Sequence, residues 1–292
     1  LATVPEEIRR RFKVAGVEQT TSGLTANRDQ FRCPVVEVAS SAVKRILEAP
    51  IIREAVLKRV QEVLKPTKGI GVVGLGSVGG AIARHLIEIG HEVNVFDPFI
   101  GNRHDPRIRV THSLSELLTR SDQVFGCAGA DIFSDDDSWR DATGPTSFYS
   151  CSSHDVEFKA ILQTLNDNPR FETLDRFADL TLRSDGSSVQ IVRGGFPVNF
   201  DGTRESAPAS QIQLTRALLV AALIQAHEVA RQGGDLAHGG HMVHPDVQKK
   251  IALEFLSLGN SPDMFPSYCS RFFSDTAWIH AQSGGAGIEV VS

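Results

Sequence analysis

The residues best suited to chemistry are the three glycines of the segment GLGSVG. Gly74, Gly76 and Gly79 have G-x-G-x-x-G spacing, and a short apolar run, IGVV, precedes them. Glycines at these positions permit a sharp turn and let phosphate groups approach the backbone, while the N–H groups of the following helix attract the anion. The segment therefore predicts a dinucleotide-binding turn, which also includes Ser77 and Val78.

An acidic residue supports this interpretation. Asp97 ends the segment HEVNVFD, about 20 positions beyond the turn, where dinucleotide-binding folds carry a carboxylate for the ribose hydroxyls. A carboxylate there also repels the extra phosphate of NADP, so we expect NAD. The basic residues Arg103, His104 and Arg107 follow closely, and they leave NADP open as an alternative.

Two further groups of residues could do chemistry. The segment GVEQTTSG places an acid, an amide and three hydroxyl residues between two glycines, as in a polar turn or a ligand-binding segment. Lys44 and Glu48 stand four residues apart, so they share a helix face if the segment is helical. By spacing alone, this pair is an ordinary surface ion pair, worth only about 0.3–0.5 kcal/mol.

The surrounding pattern indicates the elements that position these residues. Residues 38–63 predict helix, interrupted near Pro50, and strands then alternate with helices through residue 166. A hairpin around SDGSS and a long helix over residues 208–231 follow. Such alternation predicts an α/β fold, a Rossmann-type doubly wound parallel sheet, with a second, smaller domain built from both chain ends. We place the Rossmann domain with its hinge helices at 41–231, and the smaller domain at 1–40 and 232–292.

Composition narrows the function classes. The formal charge of −5 and the pI near 6.1 give no general attraction to nucleic acid or anionic membranes. The longest apolar run, residues 214–226, is too short to span a bilayer, and four scattered cysteines suggest a reducing compartment. We expect a cytoplasmic protein with a small-molecule substrate. The chain begins with Leu1 rather than Met, as expected of a processed or truncated product.

Two clusters resemble metal sites only loosely. His238, His241 and His244 recur at three-residue steps, and Asp135 to Asp137 form an acidic run without the glycine and glutamate of a calcium loop. We interpret both as exposed loops and predict no metal.

The order and spacing of four segments resemble the NAD-dependent adenosylhomocysteinase family. The segments are VEQTTSG, CPVVEVASSAVKRILE, VVGLGSVGGAIA and VNVFDP. The resemblance implies tightly bound NAD that transiently oxidises a ribose hydroxyl, so that a thiol is eliminated and water adds without net redox change. It also implies a nucleoside or thioether substrate and a homo-oligomer.

The resemblance further implies roles for individual residues. Thr20, Thr21, Ser22 and Asn199 match the family's contacts to the nicotinamide end of NAD. Lys44, Glu48, Gln19 and His154 match its catalytic positions, His154 only with a one-residue gap.

Several departures from the family pattern keep other functions open. Gln19 replaces a carboxylate, Ala49 replaces an asparagine, and the family's large upstream substrate-binding region is almost absent. The alternatives are an NAD-binding sensor or partner protein with impaired catalysis, and an NAD-linked dehydrogenase of the 2-hydroxyacid type.

Overall fold

The structure is a computed structural model, and it describes residues 5–21, 23–24, 33–100, 105–133, 138–152, 156–166, 177–184, 187–200, 207–232 and 239–258. The chain folds into two compact units. The sheet unit is Ile52–Ser206, and the terminal unit combines Leu1–Ile51 with Ala207–Ser292.

The sheet unit is organised around a seven-stranded sheet. Its strands are β3 (Ile70–Val73), β4 (Val93–Phe96), β5 (Arg109–Val110), β6 (Gln123–Gly126), β7 (Gly144–Ser150), β8 (Leu180–Ser184) and β9 (Ser187–Ile191). Their order is β5-β4-β3-β6-β7-β9-β8, and every neighbouring pair is parallel except the hairpin of β8 and β9. After β3 the chain forms β4 on one side of β3, and it later returns to form β6 on the other side. This reversal is the topological switch point at which doubly wound folds bind ligands.

Both faces of this sheet are covered, which explains why its central strand β3, IGVV, is a continuous apolar run. Besides most of α2 (Ala49–Val60), the described α-helices of the unit are α3 (Ser77–Glu88), α4 (Leu114–Arg120) and α5 (Lys159–Asn166). On one face Ile82 and Leu86 of α3 pack with Val72, and on the other Leu117 of α4 packs with Val124. Helix α4 begins at a Ser113 cap, whose hydroxyl accepts a 3.0 Å hydrogen bond from the Glu116 N–H.

The terminal unit has a smaller, parallel sheet of three strands. Its strands are β1 (Gly16–Glu18), β2 (Pro34–Glu37) and β10 (Gly239–Met242), in the order β1-β2-β10. The unit also contains the helices α1 (Glu6–Arg11), α6 (Ala209–Gln232) and α7 (Pro245–Ser257). Leu214, Leu218, Ala222 and Ala226 recur every four residues on α6 and form its buried stripe.

The helix predicted near Pro50 forms without a break at the proline. A π-helical turn, Lys44–Glu48, runs directly into α2 (Ala49–Val60). Pro50 is thus an interior residue of a continuous helix, where it has no N–H to donate to a preceding carbonyl, and the π-helical turn directly before it is the local irregularity at that point. The interruption predicted from the sequence is therefore a change of helix type.

The predicted fold class is confirmed, since the chain has an α/β Rossmann-type sheet and a second unit drawn from both ends. The hairpin and the long helix also form where the sequence predicts them. The three domain ranges stay predictions. Among the described residues, no helix combines the length and apolar character needed to cross a bilayer.

Candidate cofactor site

The glycine turn lies at the carboxyl end of β3, at the switch point of the sheet. Gly74 has φ +90°, a conformation that side chains other than glycine rarely adopt, and its N–H donates to the Phe96 carbonyl at 2.9 Å. A Cβ on Gly79 would lie 2.0 Å from the Gly74 carbonyl oxygen. These two glycines are therefore required by the turn itself and by its close packing on the helix.

Gly76 differs from its neighbours because no described atom lies within 4 Å of the position that its Cβ would take. Gly76 is also the N-cap of α3, and no side chain among the described residues caps this helix end. The unused N–H groups and the positive end of the helix dipole form a site for an anion such as a pyrophosphate. A side chain at Gly76 would occupy the space through which that anion approaches.

Asp97 follows β4 and is tied to the glycine turn. Its Oδ2 accepts a 2.6 Å hydrogen bond from the Leu75 N–H, and its Oδ1 accepts a 2.8 Å bond from the Phe99 N–H. The half-buried carboxylate is thus held beside the turn, where a ribose would also find acceptors.

Three basic residues in the sequence allowed NADP as an alternative cofactor, and one of them is paired with an acidic residue in the structure. The Arg107 guanidinium pairs with Asp105 through bonds of 3.0 and 2.7 Å, and this pairing lowers the pKa of the Asp105 carboxyl. Arg103 and His104 lie outside the described residues. Arg107 is therefore engaged by its own carboxylate partner.

The loop after β6 packs directly on the glycine turn, a contact that residue type and spacing do not predict. A Cβ on Gly74 would lie 2.8 Å from the Cys127 carbonyl oxygen and 2.9 Å from Ala128 Cα, and one on Gly79 would lie 3.0 Å from Cys127 Cβ. The sequence signal for this loop is the CAG that ends a buried strand. The loop is one wall of the crevice at the switch point.

Of the predicted catalytic residues, Lys44 and Glu48 form an ion pair in the terminal unit, and Gln19 meets Lys44 through its backbone carbonyl. Lys44 Nζ lies 3.4 Å from Glu48 Oε2 and donates a hydrogen bond to the Gln19 backbone carbonyl. Glu48 also accepts a bond from the Thr215 hydroxyl on α6. The side chains of Lys44 and Glu48 are 16% and 20% exposed, so this is not the fully solvated pair that spacing alone suggests. The π-helical turn that carries them is a rare feature, frequently found at functional sites.

The residues predicted to contact the nicotinamide differ in their surroundings. The Thr20 hydroxyl donates to Glu18 Oε1 at 2.7 Å and accepts from the Gly23 N–H at 3.1 Å. Thr21 is exposed, and Ser22 lies outside the described residues. The Thr20 hydroxyl therefore takes part in a local polar turn, in which the Glu18 carboxylate accepts its hydrogen bond. Its contact with the nicotinamide stays a prediction.

Two other predicted residues need separate mention. Asn199 is 8% exposed, and its buried side-chain oxygen makes no hydrogen bond with the described residues. His154 lies outside the described residues. Of the histidine series, His241 lies on β10 and His244 precedes α7, and no group of three or more metal-ligating residues occurs among the described residues.

Comparison with curated proteins finds relatives without an assigned role, and no protein-family model matches the chain. Two proteins of Mycobacterium tuberculosis, from strains CDC 1551 and H37Rv, are each 31% identical over 221 residues and are described as uncharacterized. The match covers 73% of this chain but only 41% of either relative. The chain thus spans about two fifths of the length of these relatives.

Similar solved structures are described as dehydrogenases. The 2-hydroxyacid dehydrogenase of Ketogulonicigenium vulgare is 17% identical, with a TM-score of 0.43 and coverage of 76% of this chain and 74% of that one. A D-isomer-specific 2-hydroxyacid dehydrogenase of Xanthobacter autotrophicus, in complex with NADPH, is 14% identical, with a TM-score of 0.42 and coverage of 80% of each chain. An NAD-complexed enzyme of that type from Lactobacillus delbrueckii is 14% identical, with a TM-score of 0.37 and coverage of 71% and 74%.

These comparisons correct the resemblance to the adenosylhomocysteinase family. The three similar structures named above are described as 2-hydroxyacid dehydrogenases, two of them as D-isomer-specific, and the curated relatives are uncharacterized. The physical reason is that the glycine turn and the acid after β4 are general to dinucleotide-binding sheets. The segment VEQTTSG is the more specific match, and within it the Thr20 hydroxyl makes local hydrogen bonds with Glu18 and Gly23.

Proposed function

We propose that the sheet unit binds NAD and that the chain is an NAD-linked dehydrogenase of a small hydroxy compound. The observation that carries this proposal is the glycine turn, in which an uncapped helix N-terminus, open space at Gly76 and the Asp97 carboxylate meet at the switch point. The dehydrogenase class is also that of the structurally similar proteins. The substrate class of small hydroxy compounds follows from that class alone.

The described residues fit a dinucleotide in three respects. The first-turn N–H groups of α3 would hold the pyrophosphate, and Gly76 would let it reach them. The Asp97 carboxylate would accept hydrogen bonds from the ribose hydroxyls. Its negative charge disfavours a phosphorylated ribose, and Arg107 is held by Asp105. We therefore propose NAD rather than NADP.

NAD supplies the hydride acceptor in such chemistry, and the protein must then handle the proton of the substrate hydroxyl. We assign this task to the Lys44–Glu48 pair. The lysine ammonium can donate a hydrogen bond to an oxygen that is losing its proton, and the carboxylate can receive a proton. Support for the assignment comes from their mutual 3.4 Å approach, their low exposure and their π-helical turn.

Two measurements on the purified chain test the proposal. NADH and NADPH are titrated by fluorescence, and the chain is then incubated with NAD and a panel of 2-hydroxy acids and polyols. We expect saturable NADH binding, weaker NADPH binding and net accumulation of NADH with at least one substrate. Absence of NADH binding contradicts the cofactor assignment. Binding without turnover on any substrate contradicts the dehydrogenase assignment and favours the NAD-binding sensor.

A further inference from the structure

We propose that Glu157 is a positioning residue for the cofactor crevice, because its buried carboxylate holds the loop that follows β6 against the end of β7. The inference rests on the proposed binding of a dinucleotide at the glycine turn. Glu157 itself is not assigned a contact with the cofactor or the substrate.

Glu157 is fully buried, at 0% exposure, although it carries a carboxylate. Its Oε2 accepts hydrogen bonds from the Ser150 hydroxyl at 3.0 Å and from the Cys151 N–H at 3.1 Å. Its Oε1 accepts a 3.2 Å bond from the Gly129 N–H. The carboxylate therefore joins the end of β7 to the loop that follows β6.

The loop held in this way forms a wall of the crevice. Cys127 and Ala128 stand directly before Gly129 and pack against the glycine turn. The Glu157 carboxylate also packs against Gly126, the last residue of β6. A Cβ at this position would lie 2.9 Å from Glu157 Oε2, so the close contact depends on the glycine. A continuous series of contacts thus runs from Glu157 through the loop to the turn. A shift of the loop would displace the groups that receive the dinucleotide.

This arrangement needs a carboxylate rather than an amide. Each of these hydrogen bonds is donated to Glu157, two of them by backbone N–H groups that cannot act as acceptors. A glutamine in either orientation would turn its NH2 group toward the N–H of Gly129 or that of Cys151. Either the N–H of Gly129, an exposed residue, or the buried N–H of Cys151 would then lose its charged acceptor, and the loss at Cys151 would be the more costly.

Ionisation of Glu157 adds a readout that a purely structural role does not provide. Burial raises the pKa of this carboxyl, and the hydrogen bonds from Gly129, Cys151 and Ser150 oppose the rise. The Cys151 thiol is the titratable side chain that interacts with it, and burial together with a hydrogen bond to the Cys127 thiol also raises the pKa of Cys151. As pH falls, Glu157 thus takes up its proton before the usual carboxyl range is reached. The affinity of the wild type for NADH should fall as Glu157 becomes protonated.

The test compares NADH affinity and thermal stability in four proteins: the wild type, Glu157→Gln, Ser150→Ala and the control Asp131→Asn. Asp131 lies on the same loop, but its carboxylate accepts from Ala160 and Phe133 rather than from the crevice wall. We expect Glu157→Gln to weaken NADH binding about tenfold or more, and Ser150→Ala about two- to threefold, in line with lost bonds to a charged group. The control should retain wild-type affinity. The Glu157→Gln profile should also lose the fall in affinity at low pH.

Each outcome separates this inference from the proposed function. Wild-type affinity and an unchanged pH profile in Glu157→Gln overturn the inference while leaving NAD binding intact. Failure of the wild type to bind NADH overturns the proposed function itself. If Glu157→Gln does not fold, Ser150→Ala decides, because it removes one donor and leaves the carboxylate in place; unchanged affinity there counts against the inference.

Discussion

The Asp97 carboxylate and the Leu75 N–H are joined by a 2.6 Å hydrogen bond that links the end of β4 to the glycine turn. The acid that would recognise a ribose therefore also shapes the backbone that would receive the pyrophosphate. Substitution at Asp97 should alter both nucleotide selectivity and the turn.

Replacement of Asp97 by asparagine should reduce the preference for NADH over NADPH by about tenfold, since a difference of ~1.4 kcal/mol is tenfold in affinity. The amide oxygen can still accept from Leu75, but the negative charge that repels the additional phosphate is gone. Parallel fluorescence titrations with the two nucleotides measure the ratio. Asp131→Asn is the matched control, because the Asp131 carboxylate accepts from the Ala160 and Phe133 N–H groups and is not part of the ribose site. Equal selectivity in Asp97→Asn and wild type would remove Asp97 from ribose recognition.

Alanine at Gly79 should destabilise the fold, whereas alanine at Gly76 should leave stability nearly unchanged. The Gly76 Cβ enters open space, so the free energy of unfolding should change by less than about 0.5 kcal/mol while NADH affinity falls about tenfold. The Gly79 Cβ meets the Gly74 carbonyl oxygen at 2.0 Å, so that variant should lose roughly 1–3 kcal/mol of stability. Denaturant unfolding and NADH titration separate the two quantities. Normal NADH binding by Gly76→Ala argues against pyrophosphate at this turn.

Replacement of Lys44 by methionine should reduce turnover about 100-fold or more, a typical loss for a proton-transfer group, and leave NADH affinity unchanged. The long apolar side chain preserves volume but removes the cation that pairs with Glu48. Steady-state rates on the best substrate, compared with NADH titration, provide the measurement. The exposed Lys250→Met variant controls for loss of a surface charge. A full rate in Lys44→Met excludes the proposed role.

Ionisation of the Tyr149 hydroxyl should lower the stability of the folded protein at alkaline pH. Burial raises the pKa of Tyr149 to about 12 from its ordinary value of 10.0, so the neutral form is favoured in the folded protein. The stability contribution is complete below pH 10.0 and is lost as pH rises toward about 12. Its full size is of the order of 2–3 kcal/mol, at ~1.36 kcal/mol per pKa unit.

Tyr149→Phe tests this expectation, since it removes the ionisable group and also the 2.7 Å bond to Gln123. The variant should be less stable near neutral pH but should lose less stability than the wild type above pH 10.0. Unfolding in denaturant over this pH range gives both values. Parallel curves for the two proteins would show that Tyr149 does not titrate as described.

Most of the sheet unit could be predicted because its longer strands carry a local signal, whereas the two-residue strand β5 carries none. Runs such as IGVV mark buried parallel strands, and Ser113 marks a helix start. The roles of Glu157 and Thr20 could not be predicted in the same way. Their hydrogen bonds depend on which loops the fold brings together, and neither residue type nor spacing specifies that.

The family resemblance was wrong for a related reason. Short segments such as VEQTTSG match a motif by residue type, whereas their function depends on whether the hydroxyl groups are free. The hydroxyl of Thr20 is engaged by Glu18 and Gly23. Lys44 and Glu48, by contrast, are brought together as helical spacing suggests, and the π-helical turn beneath them is visible only in the structure.

Titration of the purified wild-type chain with NADH, followed by NADPH under the same conditions, is the decisive measurement for the cofactor site. We expect saturable binding of one NADH per chain and markedly weaker binding of NADPH. Tighter binding of NADPH would contradict the role of Asp97. Absence of binding by either nucleotide would contradict the assignment of the glycine turn as a cofactor site.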